Sequence, residues 1–201
     1  MDDAYTTLAA DGEAQLREKA SRFLGLAFPI ADEAAFKERC AVIAKTHFDA
    51  RHVCWAWVLG ERGERTRSND DGEPAGTAGA PMLRHLQGAG VTHAAVVVVR
   101  WFGGTLLGKG GLIRAYGGTA QAAIAAAPQR VQPLLAELRV VCAYDRLDRV
   151  KRDIALHGGH LVHADYTAFC ELVVAVARSA VSSLIAQWAL DAIRAEPLQG
   201  K

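Results

Sequence analysis

Two glycine-rich stretches constrain this chain more than any other feature. Asn69-Asp70-Asp71-Gly72-Glu73-Pro74-Ala75-Gly76-Thr77-Ala78-Gly79 and Arg100-Trp101-Phe102-Gly103-Gly104-Thr105-Leu106-Leu107-Gly108-Lys109-Gly110-Gly111-Leu112-Ile113-Arg114 set glycine beside carboxylates, Lys and Arg. Glycine reaches positive φ or admits another group at close range, at an entropic cost on folding. Packing alone seldom asks for so many glycines flanked by charge, so the two stretches read as a surface that binds. A purely structural role, tight turning and close strand–helix packing, stands beside that reading.

The 201 residues suit one large or two small domains, and an apolar share of 51% is enough for real cores. Net charge is +1 and evenly spread, which gives no bulk electrostatic argument for nucleic acid or an anionic membrane. Such binding needs local clustering created by folding. Cys40, Cys54, Cys142 and Cys170 lie far apart with no C-x-x-C pair, as free thiols in a reduced compartment do. The acidic start Met1-Asp2-Asp3-Ala4 lacks the basic and apolar regions of a secretory signal, and the apolar run Ala94 to Val99 is too short to span a bilayer. A cytoplasmic protein with no membrane partner is expected.

Residues 6–29 read as an opening strand pair stopped at Pro29, and Asp32 as the cap of a helix over 33–46. Val53, Trp55, Trp57 and Leu59 alternate along a strand. Residues 60–80 show no periodicity and read as a long loop, with Pro81 opening a short helix. Thr92–Arg100 is β-branched without alternation, the pattern of a strand buried on both faces, and a helix over 111–127 follows the second glycine stretch. Pro128 and Pro133 flank a polar link, which divides the chain into domains 1–130 and 134–201. Beyond it come a strand Leu135–Tyr144, a helix 146–157 capped by Asp145, strands 160–167 and 169–177, a helix 180–193 capped by Ser179, and a short strand Glu196–Leu198. That β-α-β-β-α order is ferredoxin-like, and the fold class is α+β.

Strand, glycine loop and helix N-terminus converge backbone N–H groups and the helix dipole on one point, a setting that attracts phosphate or carboxylate. Lys109 and Arg114 add charge there, and Asp71, Glu73, Thr77, Arg100, Gly103, Gly104, Gly108, Gly110 and Gly111 complete the candidate binding set. The stretch matches neither dinucleotide nor P-loop spacing, since Gly110 stands where Ser or Thr should follow Lys109. An arginine of the second stretch, Arg100 or Arg114, is expected to pair with Asp71 or Glu73. Asp70, Asp71 and Glu73 suit a turn as well as a metal, and His47, His52 and Cys54 lack a further ligand at a familiar spacing, so no metal and no cofactor are expected. Ser21 and Thr77 show no partner that would make a nucleophile, no catalytic residue is assigned, and an enzyme is the weaker expectation. Trp101-Phe102 beside Arg100 can stack on bases, whereas the alternation at 53–59 buries Trp55 and Trp57. Arg146, Arg149 and Arg152, with Lys151, form a basic cluster on the fourth helix and are RNA-contact candidates.

Ser21-Arg22-Phe23, His47-x-Asp49-Ala50-x-His52-x-Cys54-x-Ala56, Asp70-Asp71-Gly72-Glu73-Pro74-x-Gly76-Thr77-Ala78-Gly79-x-Pro81 and Arg100-x-Phe102-Gly103-Gly104-x-x-Leu107-Gly108-x-Gly110-Gly111-Leu112-Ile113-Arg114-Ala115-Tyr116 together resemble the IMPACT/YigZ family, in family order. The resemblance implies a bacterial two-domain member. Its first domain would be a two-layer α/β sandwich of the kind shared by a small-subunit ribosomal protein, a domain of elongation factor G and GHMP kinases. Its tail would look like the last domain of elongation factor G. Eukaryotic relatives restrain the kinase that shuts down translation initiation in starvation by competing for its large activator protein; they have an additional N-terminal domain that this sequence is expected to lack, so that partner is not carried over. Ala75, Ala80 and Trp101 depart from the residues usual at their positions, and Ala80 removes a positive charge. Two functions follow: a translation-associated module contacting RNA, the ribosome or a translation factor, or a small-molecule site for a phosphorylated, anionic ligand built by the paired glycine loops.

Overall fold

The computed structural model describes residues 3–198, so Met1 and Asp2 of the acidic start lie outside the described residues. The fold is mixed α+β, and the chain divides into two compact units, Tyr5–Gln132 and, from Pro133 onward, a second that also takes in Asp3 and Ala4.

The strands of the first unit are β1 (Ala4–Leu8), β2 (Gly12–Glu18), β3 (Ser21–Pro29), β4 (His52–Leu59), β5 (Arg65–Asn69), β6 (Ala94–Trp101) and β7 (Gln129–Pro133). Its helices are α1 (Glu33–Thr46), α2 (Gly79–Gly88) and α3 (Gly108–Ala126). A five-stranded antiparallel sheet runs in the order β2-β3-β6-β4-β5, with β1 and β7 paired separately. The central β6 explains the architecture. Val96 and Val98 pack with Met82, Leu86, Leu112 and Tyr116 of α2 and α3, while Val97 and Val99 pack with Phe36 and Ile43 of α1. All four valines are completely buried, each contributing about 1.5–3 kcal/mol. Two apolar faces need two covers, so helices flank both sides and the unit has three layers rather than the two expected.

Four further expectations differ from the structure. The region read as a long loop contains β5, whose sequence Arg-Thr-Arg-Ser-Asn is polar throughout because it forms an exposed sheet edge. The polar link contains β7 for the same reason. The opening pair is three strands, and α2 starts at Gly79, two residues before Pro81.

The second unit contains β8 (Leu135–Cys142), α4 (Leu147–Leu156), β9 (His160–Tyr166), β10 (Cys170–Ala177), α5 (Val181–Ala189) and β11 (Arg194–Pro197). Its antiparallel sheet has the order β11-β8-β10-β9. Leu138, Val140, Leu172 and Val174 meet Val150, Ile154, Leu184 and Trp188 in its core, and Trp188 Nε1 donates to Asp153 at 2.8 Å. Neither expected cap forms. Asp145 pairs with Arg146, while Ser179 lies in a short turn where its N–H and hydroxyl bond the Asp3 carboxylate. Among the described residues no helix is long and apolar enough to cross a membrane.

Candidate functional site

The first glycine stretch is organised by Asp70. Its Oδ1 accepts from the backbone N–H groups of Ala78 and Gly79 at 2.9 and 2.8 Å, and its Oδ2 from Gly76 at 2.8 Å. Local residues supply no side-chain cap to α2, so a carboxylate at the end of β5 satisfies the orphan donors instead. Burial works to raise the Asp70 carboxyl, but the bonds from Gly76, Gly79 and Ala78 outweigh it and hold the group below its ordinary range. Asp71 turns the chain at φ +43° and accepts from Val53 N–H at 2.6 Å, and Thr77 donates to the Pro74 carbonyl at 2.6 Å. These bonds convert a sequence with no periodicity into a fixed turn.

Glu73 projects inward from that turn and meets Arg100 at the end of β6. Arg100 Nη1 donates to Glu73 Oε1 at 2.5 Å, Tyr116 of α3 donates to the same oxygen at 2.8 Å, and Arg100 Nη2 donates to Ser21 at 3.2 Å. His52 Nε2 lies 3.8 Å from that oxygen, its other ring nitrogen 2.7 Å from the Asp71 carbonyl. Glu73 is 9% exposed and Arg100 5%, so their charges are met by one another rather than by water. Burial, followed by Cys54 and Glu73, holds the Tyr116 phenol far above its ordinary value, which keeps it a neutral donor. Burial likewise pushes the Cys54 thiol well up, and it donates to the Asp70 carbonyl at 3.0 Å. The cluster therefore cross-links strand, turn and helix through Glu73 and the two Nη groups of Arg100, while Arg100 Nε is buried without a hydrogen-bond partner.

The second stretch is different. Gly103 packs onto Ala20, where any Cβ would overlap the Ala20 carbonyl, and Gly108 opens α3 at φ +70°. Residues 102–106, Lys109, Gly110, Ile113 and Arg114 face solvent, whereas Arg100, Gly111 and Leu112 are buried and Trp101 and Leu107 half-buried. Leu106 is 81% exposed, Phe102 43% and Ile113 37%, and Gly104, Lys109, Gly110 and Arg114 are also exposed, with Gly111 buried. Leu107 gives α3 no side-chain cap, and Lys19 donates to the Leu106 carbonyl at 3.1 Å.

Of the residues singled out in the sequence, the structure brings Glu73 and Arg100 together and leaves Lys109 and Arg114 without an ion pair among the described residues. In the second unit Arg149 lies 2.8 Å from Asp191 and 3.7 Å from Asp153, Arg146 pairs with Asp145 at 3.6 Å, and Arg152 is exposed. Sequence reasoning left Tyr116 and Asp70 out of the site. Tyr116 stands four residues after Leu112, on the buried side of α3, and that spacing was its signal. Asp70 reads in the sequence only as a turn or metal residue, and its capping of α2 has no local signal because that helix begins nine residues later. Among the described residues no group of three or more His, Cys, Asp or Glu is placed to hold a metal ion.

The Impact N-terminal domain family model matches residues 19–124. The chain is 38% identical over 173 residues to the IMPACT family member YigZ of Escherichia coli (strain K12), covering 85% of each. It is 43% identical over 114 residues to YvyE of Bacillus subtilis (strain 168), covering 57% of this chain and 52% of that one. A solved structure of a hypothetical protein superposes over 100% of both chains with a TM-score of 0.70 and 32% identity. The chain belongs to the IMPACT family.

Proposed function

We propose that the chain is a translation-associated regulatory module that acts by binding RNA, the ribosome or a translation factor rather than by catalysing a reaction. The observation that carries this reading is the division of labour between the glycine stretches. The buried Glu73–Arg100–Tyr116 cluster anchors the start of the segment, and the exposed Phe102, Leu106 and Ile113 lie along the same stretch of chain as the exposed Lys109 and Arg114. Apolar side chains held in water beside cations on a locked loop are the anatomy of a contact surface. The family resemblance supplies the setting in translation. In the second unit, strands β8, β9, β10 and β11 taken as first to fourth give the sheet order four-one-three-two, which supports the ferredoxin-like assignment and the likeness to the last domain of elongation factor G.

The test is co-sedimentation of the purified chain with ribosomes at low salt. The wild-type chain pellets with them, and Lys109→Glu with Arg114→Glu, both on the surface, abolishes this without lowering the melting temperature. A wild-type chain left wholly in the supernatant overturns the reading. One observation favours the alternative of a small anionic ligand: the uncapped first turn of α3 points N–H groups outward beside Lys109. Calorimetry with inorganic phosphate separates the two, since only the small-ligand reading gives saturable heat that Lys109→Glu removes.

A further inference from the structure

On the face of the five-stranded sheet that carries α1, a cavity of about 370 Å³ is lined by Gln15, Arg22, Leu24, His47, Asp49 and Trp101. The sheet register explains its composition. Arg17 of β2 stands directly opposite Arg22 of β3, and Arg22 directly opposite Trp101 of β6. His52 is opposite Arg100, and Arg51 N–H bonds the Arg100 carbonyl at 2.9 Å, so one more step of the ladder sets Arg51 beside Trp101. A single row thus reads Arg17, Arg22 and Trp101 across β2, β3 and β6, continued by Arg51 one residue before β4. The Arg22 guanidinium lies 3.8 Å from the centre of the Trp101 ring, and the His47 ring meets the same indole edge-on at 5.4 Å. Arg17, Arg22 and Arg51 are exposed, and none has an ion-pair partner among the described residues.

We propose that this row and its cavity bind single-stranded RNA, with the arginines on successive phosphates and an unstacked base in the cavity beside Trp101. Like charges directly opposite on adjacent strands repel, and an anion laid across them removes the penalty. At strand spacings of about 4.8 Å the row spans about 14 Å, more than one phosphate group reaches and well suited to a chain of them. The aromatic ring set among the cations, with the Arg22 guanidinium carbon 3.8 Å from its centre, offers a mixed cationic and aromatic surface to a base of any sequence. Gln15, His47 and Asp49 offer donors and acceptors to a base edge, which a duplex keeps paired and out of reach. The inference rests on the chain being a translation-associated binder, but it uses other residues than Lys109 and Arg114.

Fluorescence anisotropy of a labelled twelve-nucleotide RNA with the full chain, at about 50 mM salt where phosphate contacts are strongest, tests it. The wild-type chain binds, with a log–log salt slope of about −2, and each of Arg17→Ala, Arg22→Ala and Arg51→Ala reduces that slope by about 0.7. Trp101→Leu weakens binding about tenfold and leaves the slope alone, because it removes stacking rather than charge. Should that variant fail to fold, quenching of the wild-type tryptophan emission by bound RNA is the same readout. No anisotropy change, a triple arginine variant that binds as the wild type does, or equal affinity for duplex RNA of the same length each overturns the proposal. A chain that pellets with ribosomes yet leaves the oligonucleotide free keeps the proposed function and sinks this inference alone.

Discussion

Glu73 shows how one carboxylate can fix two segments that are distant in sequence. It receives Arg100 and Tyr116 on the same oxygen inside the protein, where neither charge has water to fall back on. Removing one member of such a pair strands the other, at a cost of about 3–5 kcal/mol, whereas replacing both by apolar groups of similar size is much cheaper. Glu73→Leu and Arg100→Met should therefore each destabilise strongly in urea titrations, and the double variant should recover a large part of the loss. Additive losses would mean that the two side chains do not act as a pair. That an arginine of the second glycine stretch, Arg100 or Arg114, pairs with Asp71 or Glu73 of the first was legible in the sequence, because opposite charges flank the two stretches, but which of those pairs forms was not. The burial of that pair was not legible, since nothing local marks Arg100 as the one arginine of β6 that turns toward α3.

At the scale of elements, long-range partners decide what local pattern cannot. The valines of β6 announce a doubly covered strand, and the structure provides α1 on one face and α2 with α3 on the other. β5 and β7 were invisible because an exposed edge strand carries no apolar alternation. The cap of α2 was invisible because Asp70 reaches it from another element. That cap makes a pH prediction. Asp70 is held below its ordinary pKa when folded, so its stabilisation is complete above the unfolded carboxylate pKa and is lost as pH falls through the folded value. Asp70→Ala should cost about 0.5–2 kcal/mol near neutrality. Urea midpoints of wild type and variant should then converge as pH is lowered from about 6 toward about 2. A gap that stays constant over that range would show that the carboxylate is not what holds the turn.

The whole molecule consists of two units with separate cores, one built on β6 and the other on β8 and β10. We expect those cores to unfold separately: Leu138→Ala, in the second, should lower one calorimetric transition and leave the other in place, whereas a single shifted transition would show one cooperative body. Family membership was legible from the ordered motifs over residues 21–116, and what they hold together is a rigid frame beneath an exposed loop. We infer that this loop, rather than any buried acid–base group, carries the function. Titration of the purified chain into a cell-free translation system tests it most directly. Protein output is expected to change with dose of the wild-type chain, and not to change with folded Lys109→Glu, Arg114→Glu. Output unmoved by the wild-type chain, or moved equally by both proteins, would contradict it.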